Sequence, residues 1–140
     1  MAAGTTPIFV ATPKTADVTF VNGDGKTAKT LYTAGANGSR ILSINAVTND
    51  SAANDVNLLL KTNGGGGTAR NLGGKRVPAA SGDQVASTTT SVQILDPAQI
   101  AGLLADGSLQ LGATDVLQVA PVAAVTSGKT LTIVVQAADY

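Results

Sequence analysis

The chain has no histidine, no cysteine, no tryptophan and no glutamate, and all nine of its acidic residues are aspartate. Without histidine it lacks the commonest general base and metal ligand near neutral pH. Without cysteine there is no disulfide framework, no thiolate nucleophile and no redox clue to its compartment. Aromatic residues are scarce: Phe9, Phe20, Tyr32 and Tyr140 are the full set. Aromatics usually supply the largest burial per side chain, so the core must rest on Val, Ile and Leu. No apolar run approaches the roughly 20 residues that a membrane helix requires. Nine basic residues balance nine acidic ones, for a net charge of zero. They form no basic block, and nucleic-acid binding needs several phosphate-neutralising Lys or Arg on one face. The expectation is no nucleic acid and no membrane as partners. Zero net charge also leaves little electrostatic barrier to self-association.

What remains is Ala, Thr, Val, Gly, Leu, Asn and Asp in a chain of 140 residues, enough for one domain that buries about two-thirds of its surface. Residues 1–15 read as an extended arm, with small residues, Pro7 and Pro13, and one apolar patch at Ile8, Phe9 and Val10. Two missing backbone donors suit an edge or a tail better than a central strand. The arm has no basic segment followed by an apolar stretch, so no secretory signal is expected. Synthesis is expected in the cytoplasm, and the Asn-X-Ser sequons at Asn37 and Asn49 are then coincidental. Residues 16–140 read as one β-sandwich domain.

Along that domain, short β-type runs alternate with turn signals. Asp17–Phe20 leads through Asn22-Gly23-Asp24-Gly25 into Thr27–Thr33, and Asn-Gly and Asp-Gly supply the positive φ of a hairpin. Arg40–Thr48 places Leu42, Ile44 and Ala46 on one face. Val56, Leu58 and Leu60 alternate with polar residues in Asp55–Thr62, and Gly64–Gly67 follow as a flexible tip. Ala69–Val77, Thr88–Leu95, Ser108–Leu111, Val116–Val125 and Lys129–Ala137 complete the strands. One short helix is expected near 96–104, with Asp96 as cap, Pro97 at its first position and Ile100, Leu103 and Leu104 at helical spacing. Eight or nine strands at this spacing predict an all-β protein, an antiparallel β-sandwich of jelly-roll type. The lack of Glu agrees, since Glu favours helices and Asp favours turns and caps.

No motif carries chemistry. Gly25-Lys26-Thr27 and Gly128-Lys129-Thr130 imitate the end of a phosphate-binding loop, but Phe20 and Ala123 stand where that motif needs its first glycine. Both read as hairpin turns. Serine chemistry needs a general base to activate the hydroxyl, and the chain has no His or Cys and no spacing that isolates a Ser–Lys pair. The aspartates at 24, 50, 83, 96 and 106 neighbour Gly, Asn, Ser or Pro, which are solvated turn and cap contexts. Asn22 and Asp24 lack the ligand spacing of an EF-hand loop. The expectation is a non-enzyme without cofactor or metal.

Three segments nevertheless carry a resemblance: Ala34–Ile44, Leu72–Pro78 and Val135–Tyr140. In them, and in length and order of elements, the sequence resembles the capsid cement (decoration) proteins of tailed bacteriophages. That resemblance implies a jelly-roll-like sandwich on the outer capsid surface of the virion, made in the host cytoplasm. It also implies a homo-oligomer, dimer or trimer, whose partner is the major capsid protein, cementing neighbouring copies. A tail-associated or receptor-binding adhesin of similar fold is the alternative. The candidate contact residues are Ile8, Phe9 and Val10 in the arm, Asn37 and Arg40 in the loop after Gly35, and Asp139 and Tyr140 at the end of the last strand.

Overall fold

The structure is a computed structural model that describes residues 12–83 and 90–140. Ile8, Phe9 and Val10 lie outside the described residues. Among the described residues, nine strands form two antiparallel sheets: β1 (Thr12–Phe20), β2 (Lys29–Thr33), β3 (Ser39–Thr48), β4 (Asn54–Lys61), β5 (Arg70–Val77), β6 (Val92–Gln93), β7 (Leu109–Leu111), β8 (Val116–Pro121) and β9 (Leu131–Asp139). One sheet runs β1-β9-β3-β6, with β7 also on β3, and the other runs β2-β8-β4-β5. Because β6 and β7 line the same side of β3, they act as one interrupted edge strand, and the described residues form four strands packed on four.

The pairing is nested. β4 pairs with β5, β3 with β6 and β7, β2 with β8, and β1 with β9. Rolling up that long hairpin adds β9 to β3 and β8 to β4, which is the jelly roll. The all-β sandwich expected from the sequence is therefore the observed fold. Its core forms where the strands alternate: Val56 and Leu58 on β4, Leu117 and Val119 on β8, and Leu131, Ile133 and Val135 on β9 are all fully buried. Burial of such side chains contributes about 1.5–3 kcal/mol each.

Several local expectations are corrected. The segment 96–104 is not a helix. Asp96 does cap one turn, accepting from the Ala98 amide at 2.9 Å while Gln99 and Ile100 donate to its carbonyl. The coil then stops because Ile100 bridges Gly73 and the Ala101 amide bonds the Leu72 carbonyl at 2.8 Å. The only regular helical element among the described residues is the 3-10 turn Asn22–Asp24. That turn, and the one at Gly128-Lys129-Thr130, are not hairpins. Each carries the chain from one sheet to the other, because β1 and β9 lie in one sheet and β2 and β8 in the other. Leu42 does not face the core. The β3–β9 register shifts between Ile41 and Ser43, so Ile41 is buried and Leu42 is 51% exposed. The strand expected over 88–95 has only Val92–Gln93 paired among its described residues. Finally, β1 begins at Thr12, so residues 12–15, read as part of the arm, pair with β9. Pro13 is tolerated there because β1 is an edge strand.

Candidate interaction surface

One end of the sandwich gathers the start of β1, the loop 34–38, the loop 112–115, the β4–β5 hairpin tip and the end of β9. Register places Thr12 and Ser39 on either side of Asp139. Around it the loops are stitched by backbone bonds: Ala34 to Asp115 at 2.8 Å, Thr114 to Gly35 at 3.1 Å and Tyr140 to Gly38 at 3.2 Å. Gly38 has φ +90°, and a side chain there would meet the Leu111 carbonyl at 2.7 Å, so only glycine lets the loop approach β7.

Asp139 is the tie of this end. Its Oδ1 accepts from the Tyr32 hydroxyl at 2.5 Å and the Ser39 hydroxyl at 2.5 Å. The Ser39 oxygen in turn accepts the Gly35 amide at 2.9 Å. Ser39 and Tyr32 are both buried, so Asp139 links β9 to strands of both sheets. Hydrogen bonds from Ser39 and then Tyr32 hold its carboxyl below the ordinary aspartate value, helped by the charge of Lys14. Burial, with the Asp139 bond, pushes the Tyr32 phenol up.

The four described candidates thus lie together at one end but play different parts. Asn37 is exposed at the loop apex. Tyr140 is partly exposed, fixed through its amide. Arg40 is engaged internally: its Nε donates to the Ser108 hydroxyl at 2.9 Å, and its Nη2 pairs with Asp106. Asp139 is spent on the clamp. Asn37 is therefore the most exposed candidate, while Tyr140, Arg40 and Asp139 are all partly exposed, the last two with their side chains bonded within the chain.

The opposite end holds a residue that sequence reasoning misplaced. Asp50 is not a solvated turn residue; it is 1% exposed. Its carboxylate accepts from the Thr126 amide at 2.9 Å, the Ala52 amide at 3.0 Å and the Asn54 side chain at 3.5 Å. Burial pushes its pKa up, but the bonds from Thr126, Ala52 and Asn54 outweigh it and leave the group lowered. Asp50 pins the β3–β4 loop to the β8–β9 loop. No local signal marks it, because its decisive donor lies 76 residues away. Nearby is an open groove of about 200 Å³ lined by Val47, Thr48, Asn49, Gly82, Asp83, Thr130 and Thr132, with Asp83 the one ionisable residue among the described lining.

Asp24 and Asp96 also serve the scaffold. Asp24 accepts from Lys29 at 2.8 Å and from the Val21 amide at 2.8 Å, while the Asn22 side chain donates to the Val125 carbonyl at 2.7 Å. Asp96 takes Lys75 at 2.5 Å. Among the described residues no group of three His, Cys, Asp or Glu could hold a metal ion, and no helix is long and apolar enough to cross a membrane. No protein-family model matches the chain, and no curated protein matches it.

Proposed function

We propose that this protein is a structural virion component that binds the outside of a phage capsid and cements neighbouring major capsid proteins. The observation that carries this reading is the convergence of the loop 34–40, the end of β9 and the start of β1 at one end of a pinned sandwich. Two of the three segments that resemble cement proteins, Ala34–Ile44 and Val135–Tyr140, are cross-strand partners there, from Ser39 opposite Asp139 to Ile44 opposite Val135.

The physics of such a role needs no chemistry. A module that binds the assembled shell in preference to free subunits shifts assembly toward the closed state. Many copies acting on linked subunits make modest individual affinities sufficient. Rigidity helps, because loops already held by Asp139 lose little entropy on docking. The protein would act as a homo-oligomer on the capsid exterior, with no cofactor and no catalytic group.

The test is quantitative mass spectrometry of purified particles together with their heat resistance. A copy number comparable to the major capsid protein, and loss of heat resistance in particles lacking this chain, is the expected result. Its absence from virions overturns the reading.

A further inference from the structure

The sequence contains three Asn-Gly dipeptides, Asn22-Gly23, Asn37-Gly38 and Asn63-Gly64, and the structure treats them differently. This dipeptide is chemically vulnerable because glycine has no side chain to shield its amide nitrogen from the preceding asparagine carbonyl. At Asn22 the side-chain nitrogen is held by the Val125 carbonyl at 2.7 Å, which keeps the carboxamide turned to its partner. At Asn37 the attacking nitrogen is occupied: the Gly38 amide donates to Gly35 at 3.0 Å, and the loop around it is fixed by Tyr140 and Thr114. At Asn63 neither restraint exists. Among the described residues, the Asn63 side chain and the Gly64 amide have no hydrogen-bond partner, and both residues are exposed. Asn63 moreover has φ +57°, a left-handed conformation at the tip of the β4–β5 hairpin.

We propose that Asn63 is the site of spontaneous deamidation in the folded protein, and that the fold protects the other two. The Gly64 nitrogen loses its proton to solvent base and attacks Asn63 Cγ. A new C–N bond closes a succinimide, the bond from Cγ to Nδ2 breaks, and ammonia leaves with a proton from water. Water then opens either imide carbonyl, giving aspartate or isoaspartate. The net exchange is one water in and one ammonia out, and it adds one negative charge to a chain of net charge zero. That charge appears between Lys61 and Arg70, the residues flanking the hairpin loop, and on the same end as the Asp139 clamp: a side chain at Gly64 would touch the Thr114 hydroxyl at 3.4 Å.

The experiment is to age the full chain in mildly alkaline buffer, folded and in concentrated urea, and to map peptides by mass spectrometry for the NH-to-O exchange. In urea the three sites should modify at similar rates, as their shared sequence chemistry dictates. In the folded protein Asn63 should modify several-fold faster than Asn22 or Asn37, and the acidic charge variant that accumulates should disappear in Asn63→Gln. Equal rates at the three sites in the folded protein, or faster reaction at Asn22 or Asn37, overturn the proposal.

Discussion

Single residues hold this molecule at its two ends and at one crossing. Gly73 has φ +138°, and a side chain there would stand 1.9 Å from the Gln99 carbonyl. That contact is the place where the segment after β6 lies across β5. Gly73→Ala should therefore cost more than about 2 kcal/mol, combining strain with displaced backbone, and a urea melt will measure it. Asp139→Ala removes the acceptor of two buried hydroxyls. Hydrogen bonds to a charged group are worth about 1.5–3 kcal/mol, so a loss in that range is expected, while Tyr32→Phe should cost only about 1 kcal/mol because one donor goes and Asp139 keeps Ser39.

At the scale of elements, the bulge in β3 decides which side chains face inward. It predicts that Leu42→Ser is near neutral, within about 0.5 kcal/mol, whereas Ile41→Ala costs about 2–4 kcal/mol. The reverse ranking in thermal melts would mean that strict alternation holds through β3. Alternation was legible in β4 and β9, where no residue is inserted, and the expected facing of Val56, Leu58, Ile133 and Val135 agrees with their burial. It failed at Leu42 because the bulge adds one residue there, so Ile41 turns inward in its place, while Ile44 and Ala46 beyond the bulge are buried as expected. The short helix failed for a different reason. Its cap and spacing are real, but the backbone groups of Ile100 and Ala101 are claimed by Gly73 and Leu72 of β5, and tertiary pairing overrides weak propensity. Likewise Asn-Gly signals a reversal without saying which sheet the next strand joins.

For the whole molecule, the fold class was legible from the number of short strands and the Asp, Asn and Gly between them. Of the candidate surface, the sequence analysis names the segments around Asn37 and Asp139 but not their adjacency, since Ser39 and Asp139 meet across 100 residues of chain. The two pinning carboxylates make a joint prediction about acid. Asp50 and Asp139 both titrate below the ordinary aspartate value, which is about 3.9 in an unfolded chain. The unfolded state therefore binds more protons in this range, so their stabilisation is complete above that value and falls as pH drops through the lower folded values. Urea midpoints should be flat near neutrality and decline below about pH 4. Asp50→Asn, which has no carboxylate to protonate, should flatten part of that decline.

Nesting also imposes an order in time. The β4–β5 hairpin closes a short stretch of chain, whereas bringing β1 to β9 closes nearly all of it, and loop-closure entropy grows with each enclosing pair. Strands should accordingly zip from the middle of the sequence outward, at the slow pace typical of non-local β topologies. The Asp139 clamp, which joins the outermost strand to Ser39 and Tyr32, would be among the last contacts made. A newly synthesised copy would thus complete the Asp139 end only when everything beneath it is already in place.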